Sequence, residues 1–231
     1  MRRMNFKAVL FDLDGTLIDT EKYYMEVWPK AAEHFGLKLT REMALELRSL
    51  GRPYAPEQFK RWYGHDTDYW AIREYRRTLF REALAEGGLH AKAGAEDLLR
   101  YLRDRKVLCA VATATDTERA KSYLEQVGLL SYMDRICSAA DAKAGKPAPD
   151  VYLKACFELG LRPEMCLAIE DAPNGIRSAY DAGCKVVFVP DQTEREPESE
   201  PLCIATCKSL NAVIKLLEGE PDFVGDIRYH V

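Results

Sequence analysis

Residues 6–20 read Phe-Lys-Ala-Val-Leu-Phe-Asp-Leu-Asp-Gly-Thr-Leu-Ile-Asp-Thr, and this stretch decides the fold. The apolar run Ala8-Val9-Leu10-Phe11 stops at Asp12, and Asp14, Gly15 and Thr16 follow. A short apolar run ending in acids reads as a buried strand that delivers two carboxylates to its C-terminal end. Open α/β sheets place their ligands there. Two carboxylates so close repel each other as anions unless a cation or a proton intervenes. A hard divalent ion with oxygen ligands, Mg²⁺ above all, suits them. A carboxylate beside such an ion can also attack phosphorus and form an aspartyl-phosphate. Taken alone, Asp-x-Asp-Gly is an ordinary surface turn; the apolar strand in front of it argues for a site.

Working outward, the alternation of patterns from residue 89 onward predicts a parallel sheet with helices on both faces. Helices are expected over 95–105, 117–127, 150–159, 174–182 and 210–218. Strands are expected over 107–113, 135–139, 166–169 and 185–189. The interval 20–88 is different. It has helical spacing, few β-branched runs and all three tryptophans, Trp28, Trp62 and Trp70. Thr40 is placed to cap a helix through Leu50, and Ile72, Tyr75, Leu79 and Ala83 share one helical face. Pro29 should kink or shorten the first of these helices. Residues 190–201, charged and proline-punctuated, read as a solvated loop.

Bulk properties exclude several classes. The 231 residues carry a formal net charge of −4, which gives no reason to propose nucleic-acid binding. No apolar run approaches the roughly 18 residues of a membrane span. Residues 1–4 are basic, but the short strand behind them does not make a signal peptide. The seven cysteines have no Cys-x-x-Cys spacing and several lie in apolar strands, so they read as buried, reduced thiols of a cytoplasmic protein.

Four segments then line up in order: Asp12-Leu13-Asp14-Gly15-Thr16-Leu17; the strand Leu108-Cys109-Ala110-Val111-Ala112-Thr113; Gly145-Lys146-Pro147; and Cys166-Leu167-Ala168-Ile169-Glu170-Asp171 followed by Ala172-Pro173-Asn174-Gly175. In these the chain resembles the haloacid dehalogenase superfamily, and within it the subgroup of sugar-phosphate phosphatases and β-phosphoglucomutase. The resemblance spans about residues 6–190. It implies a Rossmann-like core, residues 1–19 and 89–231, with a helical-bundle cap domain, residues 20–88, inserted after the first motif. The hinges would lie near Thr20 and Gly88.

The resemblance also implies roles. Asp12 is the expected nucleophile and Asp14 the general acid/base. Thr113 and the backbone N–H of Ala114 would grip the phosphoryl group, and Lys146 would place a positive charge on it. Asp12, Asp14 (through its main-chain carbonyl), Glu170 and Asp171 are the expected Mg²⁺ ligands. Tyr24 and Arg52 of the cap and Asn174 of the core are expected on the substrate side, Asn174 more to orient the site or cap a helix than to touch substrate. Tyr23, Tyr54 and Trp62 are further cap residues from which specificity would come.

The expected activity is phosphate-monoester hydrolysis of a small phosphorylated metabolite by a monomeric enzyme. Asp14 argues against carbon–halogen cleavage, whose enzymes lack that second acid because no leaving alkoxide needs a proton. Two alternatives stand beside the phosphatase. One is a β-phosphoglucomutase-like phosphomutase. Against it, Tyr24 stands where that pattern has histidine, Leu50 and Tyr54 where it has lysine and arginine, and Asp116-Thr117 where it has lysine-asparagine. The other is a catalytically idle binding module, which the intact set Asp12, Asp14, Thr113, Lys146 and Asp171 disfavours.

Overall fold

In the computed structural model residues 6–219 are described. Residues 1–4, read above as no signal peptide, and the segment after Gly219 lie outside them.

The strand reading of the opening stretch holds. Strand β1 (Ala8–Phe11) runs at the centre of a six-stranded sheet with β2 (Leu108–Thr113), β3 (Arg135–Ser138), β4 (Cys166–Glu170), β5 (Lys185–Phe188) and β6 (Ala205–Thr206). Every pairing is parallel and the order is β3-β2-β1-β4-β5-β6. The chain therefore fills the sheet outward from β1 in one direction, then returns to β1's other side. That reversal is a topological switch point, where the loops diverge and leave a crevice. Phe11 pairs with Val111 on one side and Ile169 on the other, so Asp12, Thr113 and Glu170 all emerge at the same edge.

Both faces of the sheet are buried, which is why the strands are continuously apolar. Val9, Phe11, Val111, Leu167, Ile169 and Val187 face one cluster. Helices α5 (Ala95–Asp104), α6 (Thr117–Gln126) and α9 (Leu210–Glu218) cover it with Leu98, Leu99, Leu124, Val213 and Leu216. Ala8, Leu10, Ala110, Ala168, Val186 and Phe188 face the other, under α7 (Asp150–Glu158) and α8 (Pro173–Asp181). All seven cysteines are buried free thiols, and Cys156 lies 3.7 Å from Cys166 and 3.9 Å from Cys184. Burial pushes the Cys109 thiol up to about 12, so it is an inert core residue.

Between β1 and β2 come α1 (Glu21–His34), α2 (Arg41–Glu46), α3 (Tyr54–Tyr63) and α4 (Tyr69–Gly87). They enclose a core of their own around Trp28, Ala31, Leu39, Phe59, Tyr69 and Ile72. Asp68 starts α4 by accepting from Trp70 N and Ala71 N. The two chain crossings into this insertion run side by side. Asp19 N donates to the His90 carbonyl, Lys92 N to the Leu17 carbonyl, and the Tyr23 hydroxyl to the Gly88 carbonyl.

Pro29 lies inside α1, which runs on past it to His34 with Val27, Trp28, Ala31 and Ala32 buried on either side. Two expectations need correction. The helix capped by Thr40 ends at Glu46, well before Leu50, since the following turn carries Arg48 into the sheet edge. Residues 190–201 are not simply solvated: Asp191 pairs with Lys92 at 2.5 Å and Glu196 with the buried Arg48 at 2.5 Å. No helix among the described residues is long and apolar enough to cross a membrane.

Candidate active site

The strand ends converge as the switch-point topology requires. Asp12, Glu170 and Asp171 each present a carboxylate oxygen within 4.8 Å of the others. All three are buried, and Asp12 Oδ2, Glu170 Oε2 and Asp171 Oδ2 have no hydrogen-bond partner. The remaining oxygens are held. Lys146, fully buried, donates to Asp12 Oδ1 and to Glu170 Oε1, both at 2.6 Å. The Tyr152 hydroxyl donates to the same Glu170 oxygen at 2.5 Å. Thr16 donates to Asp171 Oδ1 at 3.2 Å.

The electrostatics follow from this crowding. Burial raises the Asp12 carboxyl from 3.8 to about 7; Lys146 opposes the rise while Glu170 and Asp14 add to it. Burial, then the charge of Asp12, pushes Asp171 well above the carboxylate range. Burial works against the Lys146 ammonium, but Asp12 and Glu170 outweigh it and its proton is held more tightly than usual. Burial and nearby Asp14 also push Glu21, at the start of α1, well up.

Asp14 stands apart from the three acids. Its Oδ1 accepts from Thr20 and its Oδ2 from Thr115, each at 2.7 Å. Thr113 Oγ1 accepts from Thr115 N at 3.0 Å, which leaves its own O–H free to donate. Gly15 makes the packing possible. It sits at φ +84°, and a Cβ there would lie 2.5 Å from Asp171 Oδ2. A second close approach joins the insertion to the lysine loop: Gly51 N donates to the Lys146 carbonyl at 2.8 Å and Gly145 N to the Arg52 carbonyl at 2.7 Å.

A cavity of about 100 Å³ opens beside Asp12 and Asp14 and is lined by Thr113, Ala114 and Tyr24 among others. The structure thus brings Asp12, Asp14, Thr113, Ala114 and Tyr24 to one space. Lys146, Glu170 and Asp171 are not in that lining; they reach it through Asp12, which Lys146 holds and beside which the other two acids sit. Arg52 and Asn174 are not in that lining. Arg52 borders a neighbouring hollow. Asn174 donates to the carbonyls of Glu46 and Arg48, so it ties down the turn after α2. Of the other cap residues, Tyr23 bonds the Gly88 carbonyl, Trp62 packs on Phe59, and Tyr54 is exposed.

Sequence reasoning missed Thr115, Tyr152, Arg48, Arg73, Arg76 and Arg119. Thr115 was legible as a second hydroxyl two residues past the strand-end Thr113. Arg76 had a signal too, since it falls on the helical stripe with Tyr69, Ile72 and Phe80 that α4 buries. Tyr152 had none: its hydroxyl reaches Glu170 only because α7 crosses the sheet there.

Residues 6–183 match the family described as haloacid dehalogenase-like hydrolase. The chain belongs to that family. Hexitol phosphatase A of Escherichia coli is 31% identical over 186 residues, covering 80% of this chain and 84% of the relative. The beta-phosphoglucomutase of Bacillus subtilis is 30% identical over 190 residues, covering 79% and 83%. A hydrolase from Pseudomonas syringae superposes with a TM-score of 0.82 at 21% identity, over 92% of this chain and 98% of that one, and so shares the fold. The parallel sheet with helices on both faces is the fold expected of a haloacid dehalogenase-like hydrolase.

Proposed function

We propose that this haloacid dehalogenase-like hydrolase is a Mg²⁺-dependent phosphatase acting on a small phosphorylated metabolite, a sugar phosphate or a nucleotide-like monophosphate, as a cytoplasmic monomer. Residues 20–88 serve as its cap domain. The observation that carries the reading is the state of Asp12. Lys146 holds one of its oxygens, the other is unpartnered, and the residue lines a cavity together with Asp14, Thr113 and Ala114.

The donor set fits a hard divalent cation: buried oxygen donors from three acids, each with one oxygen left over. Asp12, Asp171 and the main-chain carbonyl of Asp14 would hold Mg²⁺, with Glu170 binding directly or through water. Once bound, the ion would neutralise charge on the substrate's phosphoryl oxygens.

The chain's own residues then divide the work. The Asp12 carboxylate attacks phosphorus in line, forming a P–O bond as the bond to the leaving oxygen breaks. Asp14 gives that oxygen its proton. The Asp14 carboxylate next takes a proton from water, whose oxygen attacks the aspartyl-phosphate; phosphate leaves and Asp12 is restored. Thr113, the Ala114 N–H and Lys146 position the phosphoryl group and bear its negative charge throughout. Phosphoryl transfer depends mainly on such positioning and charge neutralisation.

The test is release of phosphate from p-nitrophenyl phosphate with added Mg²⁺. Asp12→Asn should abolish it while the melting temperature is kept. More than a few per cent of wild-type rate in a well-folded variant would rule Asp12 out as nucleophile. The mutase alternative is tested with β-glucose 1-phosphate and a trace of glucose 1,6-bisphosphate. Glucose and inorganic phosphate are expected; glucose 6-phosphate running well ahead of phosphate would overturn the phosphatase reading.

A further inference from the structure

The cavity lined by Asp12 and Asp14 is also walled by guanidinium groups. Arg73 and Arg76 come from α4 and Arg119 from α6. Arg119 is ion-paired to Asp116, which also caps α6. The next α4 arginine, Arg77, pairs with Glu74 at 3.0 Å and lies 4.0 Å from Asp116. So Asp116, which stands where the mutase pattern has lysine, is already neutralised by arginines.

Arg73 and Arg76 have no carboxylate partner among the described residues. Arg76 is the more telling. It is only 9% exposed, its Nε has no hydrogen-bond partner, and its guanidinium lies 4.8 Å from the Tyr24 ring centre and 4.7 Å from that of Trp28. Two aromatic faces cushion a cation but do not neutralise it. Arg73 stands beside Tyr69, and burial together with the neighbouring Arg76, Arg77 and Arg119 charges makes its own charge harder to keep. A buried, uncompensated cation is costly unless an anion completes it.

A second hollow of about 240 Å³ adjoins the Asp12 cavity, and the two share Leu50, Tyr69, Arg73, Ala114 and Arg119. Arg73 and Arg119 therefore stand at the junction of the two hollows, and Arg76 in the wall of the Asp12 cavity itself, where a substrate bound at Asp12 would extend.

We propose that the preferred substrates carry, besides the phosphate that is cleaved, a second anionic group, a carboxylate or another phosphate, which Arg76 and Arg73 bind with the help of Arg119. This rests on the phosphatase reading above and names the substrate class of that site. Arg76 and Arg73 determine specificity; they do not take part in the bond-breaking step. The arrangement would also disfavour neutral sugar monophosphates, since closing over them leaves Arg76 unpaired.

The experiment uses substrate pairs that differ by the second anion: glycerol 3-phosphate against 3-phosphoglycerate, fructose 1-phosphate against fructose 1,6-bisphosphate, and ribulose 5-phosphate against ribulose 1,5-bisphosphate. The first pair reports on a carboxylate and the other two on a second phosphate. Phosphate release is measured with the wild type, and affinity by calorimetry with the turnover-deficient Asp12→Asn. In at least one pair the more anionic member should be favoured by at least about tenfold in kcat/KM, carried by KM, and should bind Asp12→Asn more tightly by a similar factor. Arg76→Met should collapse that ratio. Arg73→Gln, on the rim and less demanding of the fold, should lower it as well. Equal affinity within every pair, or a ratio unmoved in a folded Arg73→Gln or Arg76→Met, would overturn the proposal and leave Arg76 as packing for Tyr24 and Trp28 and Arg73 as packing for Trp70. Absence of phosphate release from every probe, with the binding preference intact, would overturn the phosphatase reading alone.

Discussion

Thr20 donates its hydroxyl to Asp14 Oδ1 at 2.7 Å. Thr20 is fully buried and is the residue from which α1 departs, so the base of the helical insertion holds the carboxylate proposed to move the proton. Thr115 grips the other oxygen from the core side at 2.7 Å. The orientation of Asp14 therefore depends on both parts of the chain being in place. Thr20→Val removes one donor at nearly constant volume. It should lower kcat by about tenfold or more, the worth of a hydrogen bond to a charged group, with little change in KM. Steady-state kinetics check this; an unchanged kcat would mean that Thr115 alone suffices to orient Asp14.

Gly15→Ala should damage the acid cluster directly. The new Cβ would meet Asp171 Oδ2 at 2.5 Å, on a backbone at φ +84° that side chains rarely adopt. Activity should fall at least about a hundredfold, and Mg²⁺ should no longer raise the melting temperature. Retention of the Mg²⁺-induced shift would remove Asp171 from the ligand set.

Stability without metal should depend on pH in a stated direction. The Asp12 carboxyl has its folded pKa raised from 3.8 to about 7, chiefly by burial. Between those values the folded protein holds a proton that the unfolded chain has lost. The contribution is complete below 3.8 and disappears as pH rises through about 7. Asp171 shifts in the same direction. The chelated protein should therefore melt progressively lower from acid to neutral pH. Mg²⁺ needs the carboxylates ionised, so its stabilising effect should grow over the same window. A Mg²⁺ shift in melting temperature independent of pH would argue against these acids as the ligands.

The insertion is latched to the core by Arg48. Its side chain is 2% exposed, and it pairs with Glu196 at 2.5 Å while also reaching the Asp171 carbonyl and Thr193. Arg48→Met leaves the partly buried Glu196 with Thr193 as a donor but no cation, and should cost up to about 3 kcal/mol in denaturant titrations. Glu196→Gln should cost less, because Arg48 keeps its carbonyl contacts. In the double variant the two losses should fall short of their sum. Strict additivity would mean that the pair carries no coupling between insertion and core.

The local alternation of apolar runs and helical stripes made the strands and core helices legible, because burial on both faces of a parallel sheet leaves no polar alternation to confuse. The short β6 escaped because Ala205–Thr206 has no pattern of its own and exists only by pairing with β5. The helical insertion was legible as a region. Its apolar helix face was read at Ile72, Tyr75, Leu79 and Ala83; Ile72 is buried and the other three pack half-buried against the cores, while α4 also buries Tyr69, Arg76 and Phe80, since a helix stripe is broad.

By itself the sequence determined the acids at the end of β1, the hydroxyl at the end of β2, the lysine between glycine and proline, and the paired acids at the end of β4. Each is a strand end or a turn, and local chemistry marks such places. Only the tertiary structure decided what these residues touch. Lys146 sits between Asp12 and Glu170, Tyr152 closes the back of Glu170, and Thr20 and Thr115 divide Asp14 between them. It also decided that Asn174 braces the turn after α2 and that Arg73, Arg76 and Arg119 line one cavity with Asp12 and Asp14. The physical reason is range. Strand and helix patterns come from neighbours within a few residues, whereas a charge finds its partner across more than a hundred, as Arg48 and Glu196 do, once the whole chain has packed.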